Sequence, residues 1–317
     1  MGPAVAGETC QHTLKHRISC TGVGLHSGKR VAMTLCPALP GTGIVFQRTN
    51  VPGDAGRIPA LWDRVCDTTL CSNISNDQGT RVATVEHLMA ALAGCEVDNV
   101  VVELDGPEVP IMDGSAAPFV FLIECAGLVA QDAARRSVRI VKEVSVEDGE
   151  RHVRLAPGEG LSVSLEIDFD NPHVARQTHR FEINGLTFKD ELCRARTFGF
   201  QTDIEEMRNR GLARGGSLRN AVVVGEKGVI NKGGLRYEDE FVRHKALDAV
   251  GDLYLAGAPI VGSYQGVRAG HGLNNALLRT LFADGEAWEM IEASRGDDGI
   301  SAQGWTEVDP APVAAIA

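Results

Sequence analysis

The sequence predicts an α+β protein. Three observations carry that expectation. The chain has 317 residues, enough for roughly two domains of ordinary size. Each half runs through strand patterns, then a helix, then more of both, which fits layers of helix against sheet. A polar segment, "QDAARRS" (131–137), falls between the halves and is the best candidate boundary. The halves hint at a duplicated organisation, with no sequence repeat to prove it.

Residues 1–11 are expected to be a flexible terminus, and 12–132 a first α+β domain. "ISCTGVGLHSGKRVAMTL" alternates around a glycine-rich bend and predicts a hairpin. Gly22, Gly24 and Gly28 come near a dinucleotide fingerprint, but the spacing is wrong and no helix pattern follows. "ATVEHLMAALAGC" (83–95) predicts a helix. Thr84 is expected to cap it, Val85, Leu88, Met89 and Leu92 to face the core, and Gly94 to end it. "DNVVVEL" (98–104) reads as a buried strand, and 105–127 as a turn leading into a helix that stops at Gly127. A second α+β domain is expected over 136–300. Its strand patterns are 138–147, 152–156, 161–169, 220–224 and 259–266, and its helices are 202–210, 241–255 and about 273–284. The tail 301–317 has little reason to fold and is expected to be flexible.

Composition excludes several classes. Hydrophobic residues are 44% and charged residues 23%, as in globular proteins. A net charge of -11 argues against a nucleic-acid partner. No apolar run approaches the ~18 residues of a membrane span. The eight cysteines are scattered without a CxxC pair, and the N-terminus lacks the regions of a signal peptide. They read as reduced thiols of a cytoplasmic protein.

The chemistry begins in "FVRHKALDAVGDLYL" (241–255). His244, Asp248 and Asp252 recur every four residues and share one helix face. From these residues alone the row is either a solvated face or a metal-binding one. Glu238, Asp239 and Glu240 suit the positive end of the helix dipole and need no further role. A catalytic zinc takes three protein ligands and leaves one position open, so a third ligand is wanted. His87 is a candidate, with Glu86 beside it as a base. His271 lies between glycines before a helix, Thr197 stands next to aromatic residues, and His26 reads as a turn residue.

Together these segments closely resemble the UDP-3-O-acyl-N-acetylglucosamine deacetylases, zinc amidases that commit bacteria to lipid A synthesis. The resemblance runs from about 12 to 292. It is carried by "GVGLHSG" (22–28), "TVEHLMAALAG" (84–94), "PIMDGSAAPF" (110–119), "ARTFGF" (195–200), "GLRYEDEFVRHKALDAVGDLYL" (234–255) and "GHGLNN" (270–275). Six such segments in order make a chance match untenable.

The resemblance implies two similar layered helix/sheet domains with the active site between them. It implies zinc (Zn2+) on His87, His244 and Asp248, with iron(II) (Fe2+) admitted by the same ligand types. Glu86 is then the base, His271 the acid, Asp252 the partner that holds His271, and Thr197 a donor to the oxyanion. Lys245 would meet the diphosphate side of the substrate and Phe198 the sugar. An inserted βαβ unit at about 197–231 would form an acyl passage lined by Ile204, Leu218, Ala221 and Val223. Gln201 and Leu218 stand where the enterobacterial pattern has Met and Phe, which bears on acyl-chain preference. Cys71 would sit close to the metal and could bind a second, inhibitory ion. The expected protein is a monomer acting on UDP-3-O-acyl-N-acetylglucosamine, with no stable membrane insertion and at most transient contact with the inner membrane. Three rival readings stand beside this one: an amidase for another acetamido sugar, a binder with a decayed site, and a nucleotide-cofactor enzyme. The intact set of site residues argues against the second, and the incomplete glycine motifs against the third.

Overall fold

The computed structural model describes residues 9–293. The segments expected to be flexible lie outside these residues over 1–8 and 301–317, as do 294–300 of the expected second domain. Within the described residues helices and several sheets are mixed, the α+β class read from the sequence.

A five-stranded sheet occupies the first half, in the order Ile18–Val23, Arg30–Pro37, Val100–Leu104, Ile44–Arg48, Arg57–Pro59. The expected hairpin is its first pair, antiparallel from Ile18↔Leu35 to Val23↔Arg30. Gly28 turns it at φ 66, a left-handed conformation that glycine adopts without cost. Val100, Val102 and Leu104 of the central strand are buried, as a half-buried strand of period two requires. Helix α1 (Glu86–Gly94) and helix α2 (Ala117–Ala126) belong to this half. Gly127 ends α2 at φ 68, where the sequence places the stop. Thr84 is not the cap of α1. It is itself in the left-handed region, and its hydroxyl donates to Glu108 Oε1 at 3.0 Å.

The expected boundaries need correction at both ends of this half. From Cys10 the chain is strand rather than loose terminus: Cys10–Leu14 pairs antiparallel with Leu128–Ala134. The polar segment 131–137 is therefore mostly sheet, not linker. Gln131 accepts from Asn99 Nδ2 at 2.8 Å and donates to the Ala38 carbonyl at 2.8 Å. Arg135 holds Asp98 at 2.9 Å and Glu96 at 3.0 Å. A polar side chain that binds across the fold reads in sequence like one that faces water.

The second half is built on a seven-stranded sheet around Ile260–Val267. This strand pairs antiparallel with Arg151–Ala156 and parallel with Leu161–Asp168 and Arg136–Ile140. The pattern read over 138–147 is two strands, Arg136–Ile140 and Val144–Asp148. After a single turn of helix α3 (Gly185–Thr187), the strand Phe198–Phe200 leads into helix α4 (Gln201–Asn209). The chain then returns in Val222–Gly225, parallel to Phe198–Phe200. That is a β–α–β crossover inside the span where an insert was expected. Helix α5 (Glu240–Tyr254) and helix α6 (His271–Ala283) follow.

Helix α5 decides the architecture. Thirteen of its fifteen residues are buried, all but Arg243 and Lys245. It has no wet face, so the solvated reading of the His244–Asp248–Asp252 row fails. It packs backbone to backbone on α1: a Cβ on Gly251 would overlap the carbonyl oxygen of Glu86. The Tyr254 hydroxyl donates to the Val97 carbonyl at 2.9 Å. Buried apolar side chains form one continuous cluster, from Leu14 and Phe46 through α1 and α5 to Tyr264 and Leu281.

Candidate active site

Three helix segments supply the site. α1 brings Glu86 and His87 on its first turn, α5 brings His244, Asp248 and Asp252 on successive turns, and α6 opens with His271. The close approach at Gly251 sets α1 directly against α5 and so draws His87 to the α5 pair. Nε2 of His87 lies 3.5 Å, and Nε2 of His244 3.4 Å, from Oδ1 of Asp248. The two imidazoles meet edge to face, 4.9 Å between centroids.

These residues fit a metal ion. Bonds of ~2.0–2.1 Å in a tetrahedron put donor atoms about 3.3–3.4 Å apart. The observed separations match that edge and are long for hydrogen bonds. Asp248 Oδ1 is buried without a hydrogen-bond partner, an arrangement that costs free energy unless a cation satisfies it. His244 Nδ1 faces the Ala195 carbonyl at 3.1 Å. A carbonyl only accepts, so Nδ1 carries the proton and Nε2 presents its lone pair to the cluster. Burial pushes His244 down to about 4 despite the pull of Asp248. Burial alone would raise Asp248, but His244 and Lys245 hold it well below the usual carboxylate range. Neutral imidazole and ionised carboxylate are the forms that bind a metal.

Two further titratable groups stand beside the cluster, with His271 Nε2 4.0 Å from Glu86 Oε1. Burial raises the Glu86 carboxyl, against the pull of His271 and His87. Burial disfavours a charge on His271 too, but Asp252 outweighs it and raises the imidazole to about 9. Asp252 Oδ2 faces His271 Nδ1 at 2.8 Å and accepts from Asn274 Nδ2 at 2.8 Å. Its Oδ1 accepts from the Ser72 hydroxyl at 2.6 Å.

A cavity of about 600 Å3 opens over these groups, and Thr197, Phe198 and Lys245 also line it. The Thr197 N–H donates to the Gly114 carbonyl at 2.8 Å, which ties its loop to the first half. Lys245 Nζ lies 2.7 Å from Asp248 Oδ2, so its charge is partnered inside the cluster. A second cavity of about 390 Å3 shares Thr197 and Phe198 with the first. All four residues expected along an acyl passage line it: Ile204, Leu218, Ala221 and Val223. Leu25, Met207 and Ile230 line it as well and were not foreseen. Cys71 lines neither cavity; its buried thiol donates to Asn73 Oδ1 at 3.3 Å, and burial pushes its pKa up.

Glu240 carries no signal in the sequence beyond its place at a helix start. Far from needing no further role, it is fully buried and binds Arg196 Nε at 2.8 Å and Nη2 at 2.9 Å. It also accepts the backbone N–H groups of Arg196 and Arg236 at 3.0 and 2.7 Å. Arg236 reaches Asp113 of the first half at 2.8 Å. Ser72 and Asn274 carry no sequence signal either, since only their contact with Asp252 marks them.

The family described as UDP-3-O-acyl N-acetylglycosamine deacetylase matches residues 11–283. Curated relatives named UDP-3-O-acyl-N-acetylglucosamine deacetylase are similar along most of their length. That of Haemophilus influenzae is 50% identical over 283 residues, covering 89% of this chain and 92% of its own. That of Chromohalobacter salexigens is 52% identical with coverage of 89% and 93%. That of Acidithiobacillus ferrooxidans is 54% identical over 284 residues, again covering 89% and 93%. With half of its residues shared along nearly the whole of each relative, the chain belongs to the UDP-3-O-acyl-N-acetylglucosamine deacetylase family.

Proposed function

We propose that the protein hydrolyses the acetamide of UDP-3-O-acyl-N-acetylglucosamine. The products are acetate and the free 2-amino sugar nucleotide, the committed step toward lipid A. One observation carries the reading: an unpartnered Asp248 Oδ1 faces two imidazole nitrogens, with Glu86 and His271 alongside. His87, His244 and Asp248 hold zinc, and iron(II) suits the same ligand types. When bound, such an ion supplies Lewis acidity for the carbonyl and brings the pKa of water from 15.7 toward ~7.

The remaining steps belong to the chain. Glu86 takes the proton as water attacks the acetamide carbonyl. Its raised pKa makes it a stronger base than an ordinary carboxylate. Thr197 donates to the oxyanion, an interaction worth roughly 10²–10³ in rate in comparable sites. An amine leaves poorly unless protonated, and His271, held charged by Asp252, supplies that proton. Lys245 serves the diphosphate side and Phe198 the sugar. The apolar cavity of Ile204, Leu218, Ala221 and Val223 takes the acyl chain, which favours an acylated sugar over a plain acetamido sugar. No helix among the described residues is long and apolar enough to cross a membrane. The eight cysteines are free, in keeping with the reducing cytoplasm.

Incubating the purified protein with UDP-3-O-acyl-N-acetylglucosamine is expected to release acetate. A chelator should stop the release and added zinc restore it. Asp248→Ala is expected to lose the bound metal. Turnover that persists in fully metal-free protein, or one tightly held zinc in Asp248→Ala, would overturn the assignment.

A further inference from the structure

Ser72 is buried in the turn before the strand Asn73–Ser75. Three hydrogen bonds hold it. Its carbonyl accepts the Val85 N–H at 3.2 Å, its own N–H donates to Glu86 Oε2 at 3.0 Å, and its hydroxyl donates to Asp252 Oδ1 at 2.6 Å. One residue thus touches both the proposed base and the carboxylate that holds the proposed acid. The second tie spans 180 residues of chain.

We propose that Ser72 is a positioning residue that fixes Asp252, and through it His271, relative to Glu86. The inference rests on the amidase reading above. Asn274 also binds Asp252, and Tyr264 donates to Asn274 Oδ1 at 2.7 Å. Asn274 lies on α6 with His271, however, and travels with it. Ser72 lies on the first half, beside Glu86, so it refers the acid's partner to the base. The carboxylate torsion of Asp is soft, so one oxygen alone does not orient the group. Without the hydroxyl, Oδ1 loses its donor in a buried place, and the carboxylate turns to find another. The imidazole hydrogen-bonded to Oδ2 tilts with it, and Nε2 shifts relative to the leaving nitrogen. Displacements of about 1 Å in reacting groups can cost roughly 10²-fold in rate.

The test uses the full-length, metal-loaded protein and acetate release from UDP-3-O-acyl-N-acetylglucosamine. Ser72→Ala spares the backbone bond to Glu86 and removes only the hydroxyl. It is expected to lower kcat by about 10–100-fold, the range for groups that orient active-site ligands, with KM and bound metal unchanged. Ser72→Thr keeps the hydroxyl and should restore most of kcat; Ser72→Val, with the same shape and no hydroxyl, should not. This pair decides the matter if Ser72→Ala folds poorly. In Asp252→Asn protein, adding Ser72→Ala should cost little more, because residues acting through one another are not additive. The proposal is overturned by wild-type kcat in Ser72→Ala, by a rise in KM alone, by equal rates for the Thr and Val variants, or by losses that multiply in the double variant. Wild-type protein that releases no acetate would refute the amidase reading instead.

Discussion

Glu240 carries a buried charge whose counter-charge lies far off in the sequence. At the start of a helix an acidic residue has a local reason, the dipole, and nothing nearby in sequence points to another. The reason that matters is Arg196, 44 residues upstream. Burial alone would raise the Glu240 carboxyl, but the Arg196 guanidinium and two backbone N–H groups hold it below its ordinary value. The folded state therefore binds this proton more weakly than the unfolded chain. The stability it contributes is present above the unfolded carboxylate pKa of about 4.3 and is lost as pH falls through the lower folded value. Glu240→Gln is expected to cost roughly 3 kcal/mol at neutral pH, because it leaves Arg196 buried without its counter-charge. Urea unfolding at a series of pH values checks this: the gap between wild type and variant should narrow below about pH 4.3. A gap that stays constant into acid would show that the charge is not what stabilises. The metal-site candidates were more legible. A helical wheel puts His244 and Asp248 together, but it cannot tell a face covered by other elements from one covered by water.

The α1–α5 contact is where local pattern becomes a site. Both helices were legible, α1 from its apolar stripe and α5 from its periodicity, with ends within a few residues. Their packing was not, because Gly251 looks like any helix glycine until Glu86 is placed against it. The strand Arg176–Ile183 was missed for a related reason. It alternates polar residues on a sheet edge, pairs only with Leu161–Asp168, and buries only Phe181, so it lacks an apolar period to read. Gly251→Ala puts a methyl against backbone rather than a yielding side chain. Overpacking of this kind costs about 1–3 kcal/mol. It also moves Glu86 and His87 on α1 away from His244 and Asp248 on α5. A loss of roughly 10²-fold in kcat is therefore expected alongside a lowered Tm. Thermal unfolding and acetate release measured on one preparation check both, and a variant with wild-type rate would show that the helices tolerate the separation.

At the scale of the whole molecule, two cavities of different character share one wall. The larger is lined by Glu86, His87, His244, Asp248 and His271; the smaller is the more apolar and lies against the β–α–β crossover. Thr197 and Phe198 line both, so in the proposed reaction one short segment would meet both the amide and the acyl chain. That segment is held from three sides. Gly114 of the first half accepts the Thr197 N–H, Val222 of the insert donates to the Thr197 carbonyl, and Arg196 beside it is locked to Glu240. Binding energy gained in the apolar cavity can therefore be used to orient the amide, so filling that cavity should reduce more than affinity. Ala221→Trp occupies space otherwise open to the chain, and each displaced methylene forfeits about 0.8 kcal/mol. With two to four methylenes displaced, kcat/KM for the acylated substrate is expected to fall roughly 10–200-fold. The same variant should act on an analogue lacking the acyl chain as the wild type does. Equal losses on the two substrates would mean that the insert supports the catalytic segment without holding the chain.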